Sequence, residues 1–294
     1  MPTTKLQSRP RKISSGIHSS KLIHVYLPTV PRGLRKVIVK NELIQATWES
    51  ETALSTFQPY NSDVVQDVVT RLIPYRSSVF SRRSRRKPGA WPRERPEDEY
   101  YNPFVLLLNK ALEAARKELG CASGNYYDDL QFSVYDRQVE DTDDQAHPFE
   151  PGLVGCVRTV GPEEKLNWNE IMVPITVKPS WRELVEQALK YARSLFATSA
   201  REFALVISFN YKTTEVRFLF FHRSGLTSSP PVQLNTEKGW IRFIEGIVGL
   251  ASVRDRSGAG METSRDTSSY HLPWFGLCKI EELHYTMSEV TTAA

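Results

Sequence analysis

Lys178 ends an apolar run that begins at residue 171, and Gln187 and Tyr191 follow it at a spacing of four. On a helix that spacing puts the amide and the phenol on one face, within reach of each other. A lysine, an amide and a phenol can steady the attacking water or the phosphate in phosphodiester hydrolysis, provided carboxylates hold a divalent cation beside them. The carboxylates that could serve are Glu113, inside an apolar-periodic segment, and Glu150, one of eight acidic residues between 128 and 150. Each residue also has an ordinary reading. Lys178, before Pro179, is then a solvated strand-end lysine, Gln187 and Tyr191 are a half-buried pair, and Glu150 belongs to a solvated loop. A second group, Arg82, Arg83, Arg85, Arg86 and Lys87, has the composition of a nuclear import signal or a phosphate-binding patch, although such runs are ordinarily solvated loops.

Other chemistries find less. The six histidines lack metal-ligand spacing, and no Gly-x-Ser-x-Gly elbow occurs. Cys121, Cys156 and Cys278 are odd in number and far apart, which offers neither a disulfide framework nor a CxxC zinc site; Cys156 reads as a buried strand thiol. Phosphoryl transfer from ATP needs a Gly-rich loop, a strand lysine, a catalytic Asp with a following Asn, and a metal-binding Asp. Ala122-Ser123-Gly124 is no such loop, residues 173–178 lack one ahead of them, and Ser224 stands where His222-Arg223 would be followed by the catalytic Asp. No metal, no cofactor and no ATP binding is expected.

The chain of 294 residues, 40% hydrophobic, is long enough for one large domain or two small ones. It has neither a bilayer-spanning apolar run nor a signal-peptide stretch, which predicts a protein inside the cell, in nucleus or cytoplasm, without membrane association. Net charge is +4, but residues 1–40 carry nine Lys/Arg and no Asp/Glu, so the remainder, with 29 basic and 34 acidic residues, is net −5. Residues 1–20 read as a disordered basic tail and residues 21–80 as a small helical subdomain, with short helices at 41–55 and 63–73. Residues 81–97, with Pro88, Gly89 and the basic cluster, read as a linker. From residue 102, Phe104, Leu107, Leu108, Ala111, Leu112, Ala115 and Leu119 recur at helical spacing, with Gly120 placed as a cap. Strands follow at 130–135, 153–157 and 171–177, then a helix capped by Ser180, strands at 203–209 and 216–221, and a helix at 239–250. Residues 98–252 thus make an α/β (α+β) core, followed by a loop and tail over 253–294.

The order helix, three-strand meander, helix, strand resembles the core of the restriction-endonuclease-like nucleases, whose metal acids stand at the start of the second strand and in an acid-x-Lys on the third. Here Pro151-Gly152 stands for Pro-Asp and Thr176-Val177-Lys178 for acid-x-Lys, so both acids are missing; Lys178 remains, and Gln187/Tyr191 has the spacing of that fold's exonuclease branch. More specifically, Trp168, the strand Val173-Pro174-Ile175-Thr176-Val177-Lys178, the helix Gln187-Ala188-Leu189-Lys190-Tyr191-Ala192-Arg193, the strand Arg201-Glu202-Phe203-Ala204 and the turn His222-Arg223-Ser224-Gly225 resemble the region ahead of the kinase domain in the fungal-type protein kinase family. The resemblance covers about residues 100–250, and Gly152, Thr176 and His222 each depart from the pattern by loss of an acid.

That resemblance implies a restriction-endonuclease-like mixed sheet flanked by helices, with Gly152, Thr176, Lys178, Gln187 and Tyr191 as degenerate motif positions. It implies a non-catalytic interaction module with a protein partner. Two alternatives stand beside it: a protein serine/threonine kinase, if the natural gene continues into a catalytic domain, and a residual nucleic-acid binder or nuclease. For the last, Lys178, Arg193 and residues 82–87 would supply weak, non-specific phosphate contacts.

Overall fold

The computed structural model describes residues 47–57, 62–80, 91, 95–120, 127–139, 150–157, 160–161, 164–222, 225–253 and 259–261. In chain order these form β1 (Thr47–Glu49), α1 (Ser62–Phe80), α2 (Tyr101–Leu119), β2 (Gln131–Val134), β3 (Leu153–Cys156), β4 (Ile171–Lys178) and α3 (Trp181–Thr198). They continue with β5 (Phe203–Asn210), β6 (Glu215–His222), β7 (Gly225–Ser228), β8 (Val232–Gln233) and α4 (Glu237–Ala251), and short 3-10 turns cover Ala53–Thr56 and Glu97–Tyr100. Seven strands run in the order β1-β7-β6-β5-β4-β3-β2, with β8 paired to β6. β4 with β5 and β1 with β7 are parallel; the other pairings are antiparallel. Among the described residues the molecule is therefore a mixed α/β fold, an eight-stranded mixed sheet flanked by four helices.

The local chemistry explains most elements. α2 turns its buried residues Phe104, Leu107, Leu108, Ala111, Leu112 and Ala115 to one side, and Gly120 closes it at φ 59°, a left-handed cap that a side chain would disfavour. Ser180 starts α3 by accepting the Glu183 amide, while its hydroxyl donates to the Glu183 carboxylate at 2.8 Å. β5 is buried at all eight positions because both faces of the sheet are covered. Phe203, Leu205, Ile207 and Phe209 join the core shared with α1, α2 and α4, and Ala204 and Val206 join the one under α3. At the outer edge of β2, Asn109 from α2 donates to the Phe132 carbonyl at 2.8 Å and accepts the Phe132 amide at 2.9 Å, and Arg116 donates to the Leu130 carbonyl at 2.6 Å.

The N-terminal region differs from the expected helical subdomain. Within the span expected as a short helix, residues 47–49 form β1, which pairs with β7 across about 180 residues of sequence. That strand is fixed by side chains that meet only after folding: Trp48 stacks on His222 at 5.9 Å, and Glu49 pairs with Arg217 at 2.6 Å. α1 runs on past residue 73 and through Pro74, and its Val65, Val68, Val69 and Leu72 lie in the same core as the sheet. Part of the expected linker is also core: Trp91 donates its amide to the Val79 carbonyl at 3.1 Å and packs against Phe80, Tyr100, Phe104 and Phe209. So is part of the expected tail, since Ala259 and Met261 are buried and Met261 bridges to Arg201. The short strands β7 and β8, of four and two residues, are too short to show an apolar period in the sequence. The basic cluster at 82–87, the tail over residues 1–20 and the acidic residues 141, 143 and 144 lie outside the described residues. Among the described residues no helix is long and apolar enough to cross a membrane.

Candidate functional site

The parallel pair β4 and β5 is joined by α3, and the turn between β4 and α3 sets the site. On β4, Val173, Ile175 and Val177 enter the larger core, which leaves Thr176 and Lys178 on the face that α3 covers. Thr176, 1% exposed, donates its hydroxyl to Gln187 Oε1 at 2.6 Å. Gln187 Nε2 donates to Tyr191 Oη at 2.6 Å, and that phenol donates to the Glu150 backbone carbonyl at 3.4 Å. Three side chains thus form one directed donor chain that ends on backbone beside Pro151.

A second network begins at Lys178. Its ammonium lies 2.8 Å from each oxygen of Glu97, and the Tyr101 hydroxyl donates to Glu97 Oε1 at 2.7 Å. Glu97 opens the 3-10 turn before α2, and Tyr101 is the first residue of α2. Lys178 is therefore not a solvated strand-end lysine: the two side chains of the pair are 28% and 27% exposed. Burial pushes the Tyr101 phenol well above its ordinary pKa, and the hydrogen bond and negative charge of Glu97, then Asp136 and Asp98, push it further. Burial likewise raises Tyr191, with Tyr101 and Glu97 adding to the effect and the Gln187 hydrogen bond opposing it. Both phenols are neutral hydroxyl donors at physiological pH, not nucleophiles.

Gly152 lies just ahead of β3, whose first residue Leu153 pairs with Ile175, so the chain places it across from Thr176 as the motif positions require. The space a side chain would need is taken: a Cβ at Gly152 would stand 2.5 Å from Tyr101 Cζ and 2.6 Å from its Oη. The tyrosine fills the place where an acid was sought.

The structure therefore brings Gly152, Thr176, Lys178, Gln187 and Tyr191 to one locality, and it adds two residues that sequence reasoning missed. Glu97 falls at the end of the span that reads as a linker, and the one available signal is its spacing of four from Tyr101 at the start of an apolar-periodic helix. Glu113 is corrected: it points outward, 73% exposed, and pairs with Lys110 at 3.2 Å. Glu150 takes part through its backbone carbonyl. Arg193 lies two residues beyond Tyr191 and so on another face of α3. Cys156 is buried in the core under α3. Among the described residues no group of three His, Cys, Asp or Glu side chains is placed to hold a metal ion. What the arrangement offers chemically is one carboxylate, one ammonium and two neutral phenols, a set suited to holding and orienting.

No family model matches the chain, nor does any curated protein or solved structure.

Proposed function

We propose that this chain is a non-catalytic interaction module with a degenerate restriction-endonuclease-like core, of the kind found ahead of the kinase domain in fungal-type protein kinases, and that its partner is a protein. The observation that carries the reading is the fate of the motif positions. Gly152 is covered by Tyr101, Thr176 is committed to Gln187, and Lys178 is neutralised by Glu97. Two-carboxylate metal chemistry needs a second carboxylate here, and transfer from ATP needs elements absent from the sequence. Gly152 and Thr176 therefore serve packing and hydrogen bonding, and function is left to groups that reach the surface.

The test is a pair of assays on the purified chain. Incubation with supercoiled plasmid and Mg²⁺ or Mn²⁺ should leave the plasmid intact, and incubation with labelled ATP and a general acceptor protein should transfer no phosphate. Plasmid cleavage lost on Lys178→Ala would make this a nuclease. Phosphate transfer lost on a point substitution in the chain would make it a kinase.

A further inference from the structure

Glu97 is held as a ligand is held. Each of its oxygens lies 2.8 Å from the Lys178 ammonium, and Oε1 also takes the Tyr101 hydroxyl at 2.7 Å, so two donors from different elements converge on one carboxylate. Tyr101 caps the turn that carries Glu97, but the second donor comes from across the fold. Lys178 closes β4 and is 81 residues away in sequence, and the Tyr101 ring is backed by Gly152, which has no side chain to displace it.

We infer that Lys178 and Tyr101 form a binding site for a single carboxylate, that Glu97 fills it from within the chain, and that the outside ligand exchanging with it is an acidic side chain of a protein partner. The charge count selects one carboxylate. Asp98 and Asp136 also act on the Tyr101 phenol, so the surroundings are already acidic. A carboxylate taking the place of Glu97 presents Lys178 with the same single charge while the displaced Glu97, still tethered, turns to solvent, whereas a phosphate dianion or a nucleic-acid backbone brings more negative charge against Glu97 and those two acids. Glu97, tethered four residues from Tyr101, has a high effective concentration, so an outside carboxylate wins only when other contacts hold its owner in place. The identity of the partner as a protein rests on the function proposed above; the carboxylate site rests on the geometry alone.

The experiment vacates the site. Glu97→Gly is titrated with acetate, with chloride at equal ionic strength and with inorganic phosphate, alongside the wild-type chain and Glu97→Gly/Lys178→Ala; thermal unfolding is the readout. At about 100 mM acetate the single variant should gain about 2–4 °C over chloride, and phosphate should do less. Wild type and the double variant should not distinguish acetate from chloride. A second arm titrates the blocked amino acid N-acetylglutamate amide and follows the lysine Nζ signals by NMR, expecting a shift in Glu97→Gly that Lys178→Ala removes. Equal acetate response in all three proteins, or a response that survives Lys178→Ala, would overturn the site. A stronger effect of phosphate than of acetate would overturn the assignment to carboxylate. A failure here leaves the nuclease and kinase assays unaffected, so the two conclusions stand or fall separately.

Discussion

Replacing Gly152 by alanine adds one methyl group, and two opposing effects decide its sign. Gly152 is not among the glycines with positive φ, so alanine fits the backbone, and by restricting the unfolded chain it should stabilise by about 0.4–1 kcal/mol. Against this, the new Cβ would lie 2.5–2.6 Å from the Tyr101 Cζ, Cε2 and Oη atoms, where carbon contacts normally begin near 3.5 Å. The ring must therefore retreat by roughly 1 Å. That movement strains the packing by about 1–2 kcal/mol and stretches the 2.7 Å bond to Glu97, a hydrogen bond to a charged group worth about 1.5 kcal/mol in a half-exposed setting. Destabilisation wins by about 1–3 kcal/mol. The substitution should be made in three backgrounds and followed by urea unfolding. Beside Tyr101 it destabilises; beside Tyr101→Phe the clash persists without the hydrogen bond and the cost is smaller; beside Tyr101→Ala the space is open and the methyl stabilises. An alanine that stabilises all three backgrounds equally would refute the claim that Tyr101 occupies this place.

Restoring both motif acids with Gly152→Asp and Thr176→Glu should give no Mg²⁺-dependent cleavage of plasmid, because one substitution collides with Tyr101 and the other puts a carboxylate at a position 1% exposed; cleavage by that variant would contradict the description of the site. The milder Thr176→Val should cost about 1–2 kcal/mol in urea unfolding, since it leaves Gln187 Oε1 without its 2.6 Å donor. Burial lowers His222 from 6.5 to about 4, so the folded state favours the neutral ring: its contribution is complete above pH 6.5 and lost as pH falls towards 4. At about 1.4 kcal/mol per pH decade this amounts to no more than about 3.5 kcal/mol, and His222→Asn should flatten the acid limb of the stability curve; an unchanged limb would sink the assignment. Any DNA binding should fall steeply with salt, weaken when Arg82, Arg83, Arg85, Arg86 and Lys87 become alanine, and vanish when Lys5, Arg9, Arg11 and Lys12 of the basic tail are replaced as well; salt-insensitive binding by that combined variant would point to the core instead. Deleting residues 1–96 would not serve, because it removes β1, α1 and Trp91 from the sheet and its core.

The sequence made local order readable and long-range order obscure. α2, α3 and α4 each carry an apolar stripe, and α2 and α3 have their cap residues where expected, because periodicity and capping act within a few residues of one another. β4, β5 and β6 were readable for the same reason. β1 was not: three residues carry no period, and its hold comes from Thr227, His222 and Arg217 far along the chain. In the site, Gln187 and Tyr191 were legible from their spacing, and Lys178 from its place after an apolar run. Glu97 and Tyr101 were not, since what gives them a role is the approach of α2 to the end of β4, a tertiary fact that adjacent residues do not encode.

The amide of Asn109 against Phe132 bears on how this protein behaves in a crowded solution. By donating to the carbonyl and accepting from the amide of one residue, it imitates the rung that a further strand would supply. With Arg116 on Leu130 it uses up hydrogen-bonding groups along the β2 margin. A foreign chain, or another copy of this one, would first have to displace both side chains before it could lay down a ladder there, although the half-exposed Val134 beside them would otherwise invite it. The sheet thus carries a stop at that end, and runaway stacking of copies through β2 is discouraged by the same helix that builds the core.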